Sequence, residues 1–335
     1  MIEVFFLIIY SATAFIFLTY YKIISKKLKI IDEPGIKKIH KKPTPLIGGV
    51  IIFFLLIELF IYQYSNYLKN LDIKILIIIS LICFFIGLLD DRINIKSYLK
   101  FFIISFAIFF LLNFSETLIL KKLYFKSFES ILDLNRSAIY LTILCILLLV
   151  NAYNLSDGIN SLAIIIAIHW VVAIFYFIFG IKINYIIVPL LTLFILGVFI
   201  YRGKFFLGDS GSLLISSLIG LLTIYFYNLS IKNNNTIIPA ENFFLVFIIP
   251  GLDMFRLFIE RIFNKKDPFS GDKKHLHHLL IRKYKLRKTL LIYILILCLP
   301  FYLDYFFNNI TLYIILLVTL AYFYLIFFLK KNHKS

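Results

Sequence analysis

The chain has 335 residues, of which 61% are hydrophobic, and its mean hydropathy is +0.95. Soluble domains are only about 45–50% apolar, so this composition excludes a soluble globular protein. The formal net charge of +17 does not indicate nucleic-acid binding, because the basic residues concentrate in loops beside apolar segments, where they meet lipid headgroups. The apolar runs are continuous rather than alternating, which predicts membrane-spanning helices and not a barrel.

A membrane-spanning helix needs about 20 apolar residues, with a range of about 17–25. This criterion predicts eleven spans, of which the fifth is short. They cover residues 3–20, 47–63, 74–89, 98–113, 137–150, 159–179, 184–201, 212–229, 241–262, 289–306 and 310–329. The predicted fold is an all-α integral membrane protein, a polytopic bundle of about 10–11 helices that forms a single domain over residues 1–335.

Basic residues divide unequally between the two sides of this bundle. With the N-terminus outside, the cytoplasmic loops are about 21–46, 90–97, 151–158, 202–211 and 263–288. The first of these carries eight basic residues and the last carries nine, whereas the most basic outer loop, 114–136, carries four. Because basic loops stay in the cytoplasm, the asymmetry predicts this orientation of a multi-pass protein. The main polar clusters all fall on the predicted cytoplasmic side.

The first polar cluster lies in the loop after the first span. Lys37, Lys38 and His40 stand there between prolines and could contact phosphate groups. A basic loop that only sets the topology and meets lipid headgroups explains these residues equally well.

Span three ends in two adjacent carboxylates, Asp90 and Asp91. Such a doublet could supply a general base or help to hold a divalent metal ion. Taken alone, it is better explained as the point where the helix meets water, with Arg92 neutralising one charge.

The segment 151–160 interrupts two long apolar runs with four polar groups. Asn151, Asn154 and Asp157 lie three residues apart and would share one face of a helix, and Gly158 then permits a sharp turn. A polar cluster at the end of a membrane helix is costly unless it faces water or a ligand. This segment is therefore the predicted centre of a site.

Two later segments carry further charges. Asp209 stands between glycines at the start of a helix, where it could coordinate Mg²⁺ or simply cap the helix. Asp253 and Arg256 in span nine are three apart, which predicts a structural ion pair near the inner surface.

The last cytoplasmic loop holds three histidines within four positions. Helical spacing predicts that His275 and His278 share a face and that His277 does not. With Lys273 beside them, these imidazoles suit phosphate or nucleotide binding better than zinc, because the rest of a zinc site is not evident nearby.

Together and in order, these motifs resemble a known family, the polyprenyl-phosphate N-acetylhexosamine-1-phosphate transferases, and cover nearly the whole chain. The form of the histidine motif is closer to the branch that starts O-antigen, teichoic acid or enterobacterial common antigen than to the peptidoglycan branch. The matching segments are Pro43-Thr44-Pro45 with Gly48-Gly49, Asp90-Asp91, Asn151-x-x-Asn154-x-x-Asp157-Gly158, Gly208-Asp209-Ser210-Gly211 and His275-Leu276-His277-His278.

The resemblance implies a multi-pass enzyme of the bacterial inner membrane with a cytoplasmic active site. It would transfer a sugar-1-phosphate, most commonly GlcNAc-1-phosphate, from a UDP-N-acetylhexosamine to undecaprenyl phosphate and release UMP. The implied cofactor is Mg²⁺, with Mn²⁺ as a substitute. Nucleic acid is not an expected partner. The resemblance is compatible with a homodimer.

The same resemblance assigns roles to the residues named above. Asp157 and Asp209, assisted by Asn154, would hold the metal ion, and Asp90 or Asp91 would deprotonate or position the lipid phosphate. The remaining residues would bind the substrates: Lys37, Lys38, His40, Asn151, Asn154, Lys273, His275, His277 and His278. Two positions depart from the family pattern, since Asn94 stands where a third aspartate is frequent and Ser161 where glycine is frequent.

Two alternatives stay open. One is the phospho-MurNAc-pentapeptide translocase of peptidoglycan synthesis. The other, from a different class, is a secondary anion transporter, which should place its charges near the middle of the membrane rather than at one surface.

Overall fold

In the part of the chain that the structure describes, eleven apolar helices correspond one to one with the eleven predicted spans. The structure, a computed structural model, describes residues 2–34, 42–62, 70–180, 186–233, 237–267, 273–307 and 310–331. Within these ranges, seven helices are long and apolar enough to cross a membrane, and four apolar helices are shorter. The prediction of an all-α, multi-pass membrane protein is therefore confirmed.

The helices are numbered here in chain order. The apolar set comprises α1 (Ile2–Leu28), α2 (Gly48–Tyr62), α3 (Leu71–Ile93), α4 (Ser97–Leu112), α5 (Ala138–Ser156), α6 (Leu162–Phe179), α7 (Ile187–Tyr201), α8 (Gly208–Asn233), α9 (Ala240–Phe263), α11 (Leu286–Phe306) and α12 (Thr311–Lys331). A short amphipathic helix, α10 (Leu276–Lys283), precedes α11.

Several helices extend past the apolar segments that predicted them. Helix α1 continues through three lysines to Leu28, and α3 continues through the carboxylate doublet. Helix α5 includes Asn151 and Asn154, which the sequence had placed in a loop. Lysine and asparagine do not break a helix as proline does, so the backbone hydrogen bonds continue into the polar ends. The polar site residues therefore stand on rigid helix ends.

Two small sheets, neither of them predicted, lie at opposite ends of the bundle. Strands β1 (Ile31–Asp32) and β2 (Thr44–Pro45) pair in the segment between α1 and α2. Strands β3 (Lys122–Phe125) and β4 (Ser130–Asp133) form an antiparallel hairpin in the predicted outer loop 114–136. The hairpin is attached to the helices by two hydrogen bonds, from Tyr124 N to the Tyr227 hydroxyl (2.8 Å) and from Ser127 N to Glu241 Oε1 (2.9 Å).

Helix α8 lies at the centre and packs against α2, α3 and α5. Its first half carries four buried serines, Ser210, Ser212, Ser216 and Ser217, and the last two donate to carbonyls one turn earlier in the same helix. Small residues allow membrane helices to approach closely. A side chain at position 87 of α3 would overlap the α8 backbone at Asp209. This close contact brings the polar end of α3 against the start of α8.

Candidate active site

The glycines of the first motif hold the segment before α8 in place. Gly48 N and Gly49 N donate to the carbonyls of Phe206 (3.0 Å) and Leu207 (2.9 Å), and Phe206 N donates to the Pro45 carbonyl (2.8 Å). A Cβ atom on residue 49 would overlap the backbone of Gly211. Gly48 and Gly49 are therefore needed for the close approach of this backbone to residues 206–211, and their hydrogen bonds fix the position at which α8 begins.

Asp91 binds the amino terminus of α8. Its carboxylate accepts hydrogen bonds from Asp209 N (2.7 Å) and Ser210 N (3.0 Å), two of the amides that a helix start leaves without partners. Gly208 has a positive φ of 77°, and a Cβ there would lie 2.7 Å from Asp91 Oδ2. The carboxylate of Asp91 thus occupies the anion-binding position at this helix start.

Asp90 and Asp209 share one lysine. Lys100 Nζ lies 2.5 Å from Asp90 Oδ2 and 2.7 Å from Asp209 Oδ2, so one ammonium group bridges α3 and α8. Lys100 stands in the first turn of α4 and was not among the predicted site residues. Its signal in the sequence is a lysine inside an apolar predicted span, which is costly unless the charge is paired.

The polar end of α5 completes this acidic cluster, which we define as Asp90, Asp91, Asp157 and Asp209 with Lys100. Asn154 donates a hydrogen bond to the Ser212 hydroxyl (3.0 Å), one turn into α8 from Asp209. Burial, reinforced by the negative charges of Asp209 and Asp91, raises the pKa of the Asp157 carboxyl well above its usual value. Asn151 instead faces α9, where its amide lies 3.1 Å from Met254 Sδ.

The rings of the three histidines lie close together beside the cluster, and those of His275 and His277 are stacked. Their ring centroids are 5.5 Å apart for His275 and His277 and 4.2 Å apart for His277 and His278. The prediction that His277 points away from the other two is wrong, because His275 precedes α10 as its cap and does not follow the helical spacing. A side chain at Gly158 would overlap the His277 ring, so residues 275–278, which we call the histidine segment, directly contact the segment 151–160.

Burial keeps two of these imidazoles neutral. It lowers the pKa of His278 to about 4, helped by the positive charges of His275, Arg282 and Lys273, and it also lowers the pKa of His277. His277 Nε2 is buried and has no hydrogen-bond partner among the described residues. Neutral imidazoles can both donate and accept hydrogen bonds, so these two suit polar ligand groups as well as phosphates.

A buried ion-pair network positions the histidine segment. Asp253 pairs with Arg256 Nη2 (2.9 Å), which confirms the predicted ion pair, and it also binds His275 Nδ1 (2.9 Å). The same carboxylate accepts hydrogen bonds from Leu276 N (3.0 Å) and the Tyr322 hydroxyl (2.7 Å). The sequence indicated the pair but not this further role, which anchors α10 to α9 and α12.

The two departures from the family pattern have local explanations. Ser161 adopts a left-handed conformation with a φ of 67°, which glycine reaches without steric cost, and its hydroxyl donates to the Gly197 carbonyl (2.7 Å). Asn94 ends α3 with a φ of 52°, a conformation that asparagine tolerates well. A frequent glycine at position 161 is thus explained by backbone geometry.

The acidic cluster fits a cation by charge but does not form a finished metal site. Among the residues that the structure describes, no three His, Cys, Asp or Glu side chains stand close enough to hold a metal ion. The ammonium of Lys100 nevertheless contacts two carboxylates at once, as a metal ion would. Even with Asp157 protonated, the other three carboxylates outnumber the one lysine, and the carboxylate and amide oxygens here are the donors that Mg²⁺ prefers.

Comparison with known proteins agrees with this site. Residues 73–227, which include the acidic cluster, match the family model "Glycosyl transferase family 4". The undecaprenyl-phosphate alpha-N-acetylglucosaminyl 1-phosphate transferase of Escherichia coli K12 is 27% identical over 288 residues, or 80% of this chain and 73% of that protein. The Salmonella typhi enzyme of the same name is 26% identical over 287 residues, or 81% and 73%.

A Bacillus subtilis protein described as a probable undecaprenyl-phosphate N-acetylglucosaminyl 1-phosphate transferase is 26% identical over 273 residues, covering 78% of this chain and 72% of that protein. This chain is thus similar to glycosyl transferase family 4 over residues 73–227, and the resemblance seen in its motifs is confirmed. Of the predicted site residues, Lys37, Lys38 and His40 lie outside the described part of the chain.

Proposed function

We propose that this protein transfers N-acetylglucosamine-1-phosphate from UDP-N-acetylglucosamine to undecaprenyl phosphate and releases UMP. The names of its relatives support the substrates. The observation that carries the proposal is the Lys100 bridge between Asp90 and Asp209, with Asp157 and the three histidines beside it. This arrangement offers cation-binding oxygens and phosphate-binding groups at one end of a membrane bundle, where a lipid acceptor and a soluble donor can meet.

The reaction joins two anions, and the site residues divide that task. A phosphate oxygen of the lipid forms a bond to the phosphorus that carries the sugar, and the bond from that phosphorus to the oxygen of UMP breaks. Lys100 offsets part of the negative charge, and Asp90 positions or deprotonates the lipid phosphate. Asp91 is assigned to holding the start of α8, because both of its oxygens already accept backbone amides.

The residues that would hold Mg²⁺ are Asp157 and Asp209, with Asn154 assisting, and Mn²⁺ would be the expected substitute. The bound ion would offset the negative charge of the two phosphate groups that react. His275, His277, His278 and Lys273 would bind the nucleotide sugar, and Asn151 would line the same side. Lys37, Lys38 and His40 remain predicted phosphate contacts.

The basic loops support a cytoplasmic position for this end of the bundle. The anion-transporter alternative is disfavoured by the same placement, because Asp90, Asp91 and Asp209 stand at helix ends rather than near helix centres. We therefore place the protein in the bacterial inner membrane, with a role in starting a lipid-linked cell-envelope polysaccharide.

The test is a reconstituted reaction with purified protein, UDP-N-acetylglucosamine, undecaprenyl phosphate and Mg²⁺. UMP should appear only when both substrates are present, together with an equal amount of lipid-linked sugar diphosphate. The muramyl-pentapeptide nucleotide, offered in parallel, should not react. Turnover only with that donor would establish the peptidoglycan activity instead, and transport of the nucleotide sugar without UMP release would refute the transferase.

Two variants assign the roles. Lys100→Met should abolish turnover, whereas Lys96→Met, which removes an exposed lysine one turn earlier, should not. His277→Ala should weaken binding of the nucleotide sugar more than binding of the lipid. Equal loss of both affinities would contradict the role of His277.

A further inference from the structure

A cavity lies at the end of the bundle opposite the acidic cluster. It has a volume of about 200 Å³, and we call it the distal cavity. Its position follows from the helices: α11 starts beside α10 and the histidines, and its other end reaches the cavity. The lining includes Lys126, Tyr176, Asn242, Phe301, Asp304 and Tyr305, none of which the transferase reaction uses.

One buried carboxylate lines the distal cavity, Asp304, and a second lies near it, Glu241; within the described ranges both have only neutral hydrogen-bond partners. Asp304 is 5% exposed, and it accepts hydrogen bonds from Asn242 Nδ2 (2.8 Å) and Thr311 Oγ1 (2.6 Å). Glu241 is 3% exposed; its Oε1 is bonded to Ser127, and its Oε2 has no partner among the described residues. Burying carboxylates without a cation is unfavourable, so the cavity is suited to a positively charged group.

Lys126 provides the opposite charge on the same wall. It stands on the exposed turn of the hairpin, near enough for its charge to act on Asp304, yet it forms no ion pair within 4.0 Å inside the described ranges. The cavity therefore presents a carboxylate and an ammonium that do not neutralise each other. A ligand that carries one positive and one negative group can satisfy both.

Aromatic rings form much of the remaining wall. The ring centroid of Tyr176 lies 5.4 Å from that of Tyr305 and 5.6 Å from that of Phe301. Aromatic faces attract ammonium groups, and tyrosines near the ends of membrane helices mark the depth of lipid headgroups. The cavity is smaller than the about 300–1,000 Å³ typical of sites for drug-sized molecules, so it fits a headgroup rather than a whole lipid or nucleotide.

We propose that the distal cavity binds the headgroup of phosphatidylethanolamine. The primary ammonium lies beside Asp304 among the aromatic rings, and the phosphate lies at Lys126. Both acyl chains stay outside in the membrane. This inference does not depend on the transferase proposal, since it concerns residues at the other end of the helices.

The experiment is native mass spectrometry of the intact protein in detergent, titrated with phosphatidylethanolamine or phosphatidylglycerol of the same acyl chains. Phosphatidylglycerol keeps the phosphate but lacks the ammonium. A contact worth about 1 kcal/mol corresponds to roughly fivefold in affinity, so we expect at least that preference for phosphatidylethanolamine. Asp304→Asn keeps the carbonyl acceptor but removes the charge, and it should abolish the preference. Asp133→Asn, at an exposed aspartate of the hairpin, is the matched control and should not.

Lys126→Gln should weaken binding of both lipids, and Lys122→Gln on the neighbouring strand should weaken neither. Soluble phosphoethanolamine should raise the thermal unfolding midpoint of the unmodified protein, which tests the site without any variant. UMP release by the Asp304→Asn protein should be unchanged. Equal affinity for the two lipids, a preference that survives Asp304→Asn, or equal effects of the two lysine variants would overturn the proposal.

Discussion

The acidic cluster and the histidine segment are neighbours, but they balance their charges differently. Around Asp253 the carboxylate has Arg256, His275, a backbone amide and a tyrosine hydroxyl as partners, so that the network is complete within the protein. In the acidic cluster Lys100 pairs with Asp90 and Asp209, and within the described ranges no other cation is bonded to the four carboxylates. The first arrangement fixes a shape, whereas the second leaves charge for a ligand to neutralise.

The largest expected effect is a loss of turnover when carboxylates of the acidic cluster are replaced. Asp209→Asn and Asp157→Asn should each reduce turnover by on the order of 10³-fold or more, because a lost metal ligand removes several kcal/mol of charge stabilisation in the transition state. UMP release measures the rate, and gel filtration with thermal unfolding checks that the variants fold. Asp72→Asn, at the opposite end of α3, serves as the control. Near-normal rates in both variants would remove the metal assignment.

In the ion-pair network around Asp253, replacing the aspartate by asparagine should lower the stability of the protein first. Asp253→Asn removes the buried counter-charge of Arg256 and leaves only the partly exposed Glu260 paired with it, and breaking a buried pair in this way costs about 3–5 kcal/mol. Unfolding of the purified protein in detergent measures the loss. Glu260→Gln is the matched control on α9, since it removes the partly exposed end of the same network and should cost less than about 1 kcal/mol. If the two variants were equally stable, Asp253 would not be the anchor of the histidine segment.

A smaller effect should separate the two carboxylates of the doublet. Asp91→Asn loses a charge and one acceptor at the start of α8, which we expect to cost about 1 kcal/mol of stability. Asp90→Asn should leave stability closer to that of the unmodified protein and lower turnover more. Parallel unfolding and UMP-release measurements on the two variants decide the point, and the reverse ranking would exchange their roles.

The smallest expected effect is a pH dependence in the histidine segment. The pKa of His278 is about 4 in the folded protein and near 6.5 when unfolded, so the unfolded chain binds more protons between these values. The contribution of neutral His278 to stability is present above about pH 6.5 and is lost as the pH falls towards 4. His278→Gln should flatten the fall in unfolding midpoint between pH 7 and pH 5. An unchanged pH profile in this variant would show that other groups cause it.

Sequence patterns were sufficient for the helices and for the order of the motifs. Each span is a local property, because a helix in lipid satisfies its own backbone and needs only enough consecutive apolar residues. The same reasoning located Asp90, Asp157 and Asp209 at polar interruptions of apolar runs, and it paired Asp253 with Arg256 from their spacing on one helix. It did not find the hairpin between β3 and β4, whose strands are short and mixed in polarity.

Only the tertiary structure decided which of these groups meet. Lys100 is 109 residues from Asp209 along the chain, and Asp91 is 118 residues from Asp209. No local pattern could therefore indicate that Lys100 pairs with Asp209 or that Asp91 caps the start of α8. Those contacts depend on the close packing of α3 against α8, which Gly87 and the serines of α8 allow. The sequence by itself determined where polar groups leave the membrane, because a membrane span depends only on consecutive apolar residues along the chain. Their partners were decided by helix packing, because charges separated along the chain become neighbours only when the bundle forms.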